Sequence, residues 1–388
     1  MEREDPRETS SNLNYILPFE LLGIVFSHIS EDPLDLRHAI FVCRCWHNVI
    51  VHHANLWNSI ILGYTFLTRF RGARSHHGVA FVRACLSRSS PLPLRISVHD
   101  HRCGSLYGNT LPNADGKLSN ESFSLIKHIL DINSEEPENF FQRCRSLSWY
   151  PYKRLQEVNL VTRALASASL PMLEYLTLKN LLVFNDDLVA RFPRLPRLKE
   201  VTLTDHSETC IPPLFHDDDL AKAERLSFTV TSRWIDYDVN CVRRFRSIRT
   251  LILKGTNIDD DEPYRETRDS PLEQAEFPLL ETLTLSGRVA HQVLNLLKTP
   301  RLQMMELEAS AMEGGYSLMA INSMHMVRSL ECLYVSLSGE MHVASWVEEL
   351  ERVVAVAPSL IRLYINPWMA QYLKGKEWRT GLHVTVSS

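Results

Sequence analysis

The residues with the sharpest chemical potential are His99-x-His101-x-Cys103. On an extended strand alternate residues share one face, so three metal-ligating side chains would stand together. No fourth ligand follows at zinc spacing and the chain has no C-x-x-C pair, so neither metal nor cofactor is expected. The acidic runs Asp217-Asp218-Asp219 and Asp259-Asp260-Asp261-Glu262 lack the glycine and spaced ligands of a calcium loop; they read as solvated surface. G-x-S-x-G, the phosphate-cradling loop, G-x-G-x-x-G and H-E-x-x-H are all missing. With no acid–base pair or nucleophile set, the expectation is a protein that binds rather than catalyses.

Composition points the same way. The 388 residues are 45% hydrophobic and carry a formal net charge of -4, which disfavours a general nucleic-acid binder. No apolar run reaches membrane-spanning length and the start, MEREDPRETSSN, has no apolar core of a secretion signal. Eight scattered cysteines fit buried thiols in a reducing compartment, so a cytoplasmic or nuclear address is expected.

Four segments are expected: a disordered tail (1–12), a helical module (13–60), a linker and cap (61–140) and a repeat array (141–388). In the helical module, Leu17-Pro18-Phe19-Glu20 starts a helix running to about Ile29, with proline where no N–H is needed and a carboxylate in the first turn. Asp32-Pro33 starts a second helix, and a third runs from near Cys43 to about His53. Leu22, Val25, Phe26 and Ile29 form one core stripe, yet Leu17, Leu21 and Ile24 lie off it. A module this small cannot cover two apolar sides, so the surplus needs a second body. Leu56-Trp57 reads as part of the same docking surface.

The series Leu17-Pro18-x-Glu20-Leu21-Leu22-x-x-Val25-Phe26-x-x-Ile29, Asp35-Leu36, Val42-Cys43-x-x-Trp46 and Leu56-Trp57 resembles an F-box, as in the large fungal F-box families. The resemblance covers about 45 residues. It implies a three-helix motif that docks on the Skp-family adaptor of an SCF ubiquitin ligase and, through it, on cullin. By that pattern Leu17, Pro18, Leu21, Ile24, Val42, Cys43, Leu56 and Trp57 face the adaptor, while Phe26 and Trp46 pack inside.

The array is built on L-x-x-L-x-L. Leu173-x-x-Leu176-x-Leu178, Leu198-x-x-Val201-x-Leu203, Ala223-x-x-Leu226-x-Phe228, Ile248-x-x-Leu251-x-Leu253, Leu280-x-x-Leu283-x-Leu285, Leu302-x-x-Met305-x-Leu307, Leu330-x-x-Leu333-x-Val335 and Leu360-x-x-Leu363-x-Ile365 are the copies, and Cys144-x-x-Leu147-x-Trp149 begins the series. The spacing is that of leucine-rich repeats, although the asparagine expected after each strand is absent. Helical stretches between the copies, clearest at Ala344–Ala357 and shorter at His291–Leu297, imply parallel strands. The expected fold is therefore α/β: a three-helix F-box followed by a leucine-rich-repeat-like right-handed solenoid.

Along each L-x-L the leucines point inward and the central residue outward. That outward row is Thr177, Thr202, Ser227, Ile252, Thr284, Glu306, Tyr334 and Tyr364. Its aromatic end, with Glu306 and nearby Trp368, is the expected contact surface for a protein target. The basic stretch Arg69 to Arg95 is expected to link the modules, with Phe66, Phe70, Val79, Phe81, Val82 and Leu86 packing against the first repeats and the arginines solvated. The functional expectation is a substrate receptor holding an unknown protein target, without nucleic acid or membrane as partner. The alternative is a scaffold acting outside proteolysis.

Overall fold

Residues 17–29, 33–62, 66, 69–70, 74–99, 140–150, 168–179, 192–204, 215–230, 242–255, 274–287, 296–310, 328–338, 343–376, 378 and 380–386 are described by the computed structural model. The expected tail (1–12), His101, Cys103, the run Asp259 to Glu262 and residues 291–295 lie outside them, as do the side chains of Ile29 and His99. Two compact units, Met1–Leu173 and Glu174–Ser388, make up the chain.

The first unit opens with α1 (Phe19–Ile29), whose first turn is closed by the Leu22 N–H donating to Pro18 O at 3.1 Å. The predicted second helix is instead two 3-10 turns, Asp35–Arg37 and Ala39–Phe41. Its buried leucines, Leu34 and Leu36, are two residues apart, a spacing that one side of an α-helix does not present. α2 (Arg44–His52) is capped by Cys43, whose Sγ accepts from the Trp46 N–H at 3.5 Å. Between the helices, Phe26 meets Trp46 edge-on at 5.0 Å, and both Leu22 and Phe26 are buried. Burying a phenylalanine side chain of that size stabilises the pairing by about 1.5–3 kcal/mol.

Strands begin earlier than the repeats suggested. β1 (Ser59–Leu62), β2 (Leu94–His99) and β3 (Cys144–Tyr150) form a parallel set, with Ile60 opposite Ile96 and Ile96 opposite Leu147. α3 (Ser75–Arg88) connects β1 to β2. The segment expected as a linker is thus sheet and helix, and the end of the expected helical module is already strand. Phe66, Phe70 and Phe81 cluster with one another, centroids 4.8–6.2 Å apart, whereas the sequence placed them against the first repeats.

The second unit is a parallel sheet whose strand order follows the chain. Its strands are β4 (Tyr175–Lys179), β5 (Glu200–Thr204), β6 (Arg225–Val230) and β7 (Thr250–Gly255). The short β8 (Ala275–Glu276) and β10 (Leu297–Lys298) pair separately. β9 (Thr282–Ser286), β11 (Met304–Ser310), β12 (Cys332–Ser338), β13 (Arg362–Ile365) and β14 (His383–Val386) complete the sheet. α4 (Asp217–Leu220) precedes β6; α5 (Val343–Val356) precedes β13 and α6 (Pro367–Leu373) follows it.

Register explains the repeat. Leu176, Val201, Leu226, Leu251, Leu283, Met305, Leu333 and Leu363 are successive partners across the sheet, and every one is buried. One carbonyl before each strand holds two N–H groups of the next: Glu174 O accepts from Lys199 and Glu200, and Lys199 O from Glu224 and Arg225. The same device recurs at Glu224, Arg249, Glu281, Gln303 and Glu331. Pro171, Pro196, Pro278, Pro300 and Pro358 occupy the turns before the strands. The α5 stripe of Trp346, Val347, Leu350, Val353 and Val354 is buried as its spacing predicted.

Candidate functional site

Two surfaces stand out among the described residues, one in each unit. On α1, residues advance about 100° per position. Leu22 and Phe26 therefore face one way, toward α2, while Leu17, Leu21 and Ile24 cluster on the opposite side and are exposed. Pro18 is exposed beside them. Val25, expected in the core stripe, is exposed as well, because the side of α1 that α2 covers is narrower than the apolar arc of the sequence. In the turn before α2, Phe41 is 85% and Val42 is 59% exposed. Phe19 and Phe41, which the spacing does not single out, are exposed too, Phe41 adjoining Val42 in the same apolar run.

Leu56 and Trp57 do not belong to the docking surface expected of them. They are 5% and 3% exposed, which leaves them no face for a partner. The Trp57 indole N–H donates to Ile50 O at 2.6 Å, and the Arg88 guanidinium lies 4.3 Å over the ring. A tryptophan that spends its N–H and a ring face inside its own unit is a core residue. Cys43 is half-buried, with its sulfur committed to the α2 cap.

In the second unit the predicted outward row is continuous in register, but Ser227 within it is buried rather than exposed. Thr177, Thr202, Ser227, Ile252, Thr284, Glu306, Tyr334 and Tyr364 are register partners in that order. Tyr334 and Tyr364 stack with centroids 4.1 Å apart and planes 5° from parallel. Glu306 accepts from the Thr284 hydroxyl at 3.1 Å. Burial, with Cys332 and Tyr364 adding to it, pushes the Tyr334 phenol up to about 12. Trp368 lies off this row. It sits on α6, edge-on to Tyr372 at 5.3 Å, because the Asn366 side chain caps a helix there by accepting from the Met369 N–H at 3.0 Å.

In the first acidic run Asp217 and Asp218 are exposed, as read, and only Asp219 departs from a solvated surface. Asp219 is buried and its carboxylate accepts from the Leu195 N–H at 2.9 Å; Asp218 pairs with Arg194 and Asp217 with Arg244. No group of three or more His, Cys, Asp or Glu among the described residues could hold a metal ion. No helix among the described residues is long and apolar enough to cross a membrane. The chain matches no family model, and no curated protein matches it.

Proposed function

We propose that the chain is the substrate-recognition subunit of an SCF-type ubiquitin ligase in the cytoplasm or nucleus. The F-box-like module docks on a Skp-family adaptor, and through it on cullin. A leucine-rich-repeat-like domain holds a protein target. The chain itself catalyses nothing; it raises the effective concentration of the target near the ubiquitin-conjugating enzyme.

The observation that carries this reading is the apolar side of α1. Leu17, Leu21 and Ile24 are exposed opposite the Leu22–Phe26 side that packs on α2, and Val25 is exposed on the flank between them. A helix apolar on both sides, with one side uncovered in the free chain, is the physical requirement for docking on another protein. The exposed Phe41 and Val42 supply anchors of the kind that dominate such interfaces.

The test is capture of a recombinant Skp-family adaptor by the full chain and by the Leu21→Asp/Ile24→Asp variant. The wild type is expected to retain adaptor and the variant to lose it while keeping its far-ultraviolet circular dichroism. Equal capture by both would overturn the assignment.

A further inference from the structure

We propose that the face of β11–β13 binds an arginine side chain, its guanidinium lying flat on the open face of Tyr334 and hydrogen-bonded to the Glu306 carboxylate. That this arginine belongs to a ligase target rests on the receptor reading above; the site itself rests on the following geometry.

β12 lies between β11 and β13. Tyr364, the register partner of Tyr334 on β13, covers one face of the Tyr334 ring at 4.1 Å. The other face is therefore turned toward β11, where the register partner is Glu306. On its far side Glu306 is held by the Thr284 hydroxyl from β9, and among the described residues no cation pairs with it. A fixed carboxylate beside a free aromatic face attracts a cation twice, by its charge and by the ring quadrupole.

Planarity selects the kind of cation. The two phenol rings lie 5° from parallel, so a flat group extends the stack as a third layer. A guanidinium is flat, weakly hydrated and forked to meet a carboxylate, whereas an ammonium is compact and strongly hydrated. Position on the face is set by Arg362, which precedes Tyr364 by two residues and pairs in register with Cys332. Its exposed charge repels a cation from the β13 end and leaves the β11 side, where Glu306 stands. Glu306 is also the sole carboxylate in the outward row, whose earlier members are hydroxyls and one isoleucine.

The experiment uses the full chain with carbon-13-labelled tyrosine rings, assigned with Tyr334→Phe and Tyr364→Phe. It is titrated with N-acetyl-arginine methylamide, the lysine analogue and the neutral citrulline analogue. The arginine compound is expected to shift the Tyr334 and Tyr364 signals saturably. Lysine should bind several-fold more weakly and citrulline should show no saturation. Glu306→Gln should weaken arginine binding about tenfold, while Tyr334→Phe, which keeps the aromatic face, should retain it. Saturation by citrulline, equal affinity for lysine, unchanged affinity in Glu306→Gln or no saturable shift would each overturn the site. Adaptor capture is measured on the same samples. Lost arginine binding with intact capture rejects the site alone; the reverse rejects the receptor reading and leaves the site standing.

Discussion

The imidazole of His53 occupies the space that any side chain at Gly23 would need. A β-carbon at position 23 would lie 2.2 Å from His53 Cδ2 and 2.4 Å from Nε2. Glycine inside α1 is therefore a close-approach residue that lets the end of α2 pack against the helix. Helix propensity alone predicts that Gly23→Ala gains about 1 kcal/mol. Overpacking predicts a loss of roughly 1–3 kcal/mol. The clash is with three ring atoms of half-buried His53, so alanine fits only if the ring turns away or α1 moves off the end of α2. Gly23→Ala is expected to destabilise α1, read as faster hydrogen exchange of its amides. Adding His53→Ala should restore most of the protection.

Opposite sides of α1 should respond in opposite ways. Leu22 is buried, and Leu22→Ala is expected to cost about 2–5 kcal/mol. Leu21 and Ile24 are exposed, so Leu21→Asp and Ile24→Asp should each change stability by no more than about 0.5 kcal/mol. Hydrogen exchange of the α1 and α2 amides separates the two sides. A large loss from Leu21→Asp would mean that this side is covered within the chain.

Periodic burial made most of the second unit legible. Each L-x-x-L-x-L places two buried side chains on one strand face, and eight consecutive copies fell into register as read. β2 escaped because Leu94, Ile96 and Val98 alternate without the preceding L-x-x signal, and β1 because four residues carry too little pattern. Trp57 was misplaced because an aromatic residue that anchors an interface and one that closes a core have the same sequence signature. The stacked tyrosines were visible as a pair, but that Glu306 stands next to Tyr334 on the neighbouring strand appears only once register is known.

Arg143 is a second residue whose value lies in contacts distant along the chain. Its guanidinium donates to Leu92 O at 2.8 and 3.1 Å, to Leu86 O at 3.2 Å and to Ser89 Oγ at 3.0 Å. It thereby fastens the end of α3 and the approach to β2 onto the turn that leads into β3. Lysine cannot reproduce a fork that meets three acceptors. Arg143→Met is expected to cost about 1–3 kcal/mol, and Arg143→Lys most of that amount, because several charge-assisted hydrogen bonds to half-buried acceptors are lost together. Exchange of the β2 and β3 amides should accelerate in both variants. Retained protection in Arg143→Lys would show that charge rather than geometry holds the junction.

Cys144 supplies a pH dependence with a definite sign. Burial raises its thiol from 9.0 to about 12, with Sγ lying 3.4 Å from Ser146 O. Below pH 9 the thiol is protonated in both folded and unfolded chains, so its contribution to stability is fully present. Between pH 9 and 12 the unfolded chain releases a proton that the folded chain keeps, and stability falls as pH rises. Cys144→Val fills nearly the same volume and does not titrate. Other groups act alike in both proteins, so the difference isolates the thiol. The wild type should lose stability more steeply than Cys144→Val from about pH 9 upward, while the two stay parallel at neutral pH. Equal slopes in urea unfolding across that range would mean that the sulfur meets water in the folded chain. Alkylation of native protein gives an independent reading: half-buried Cys43 and Cys45 should react before Cys85, Cys144 and Cys332, which are buried.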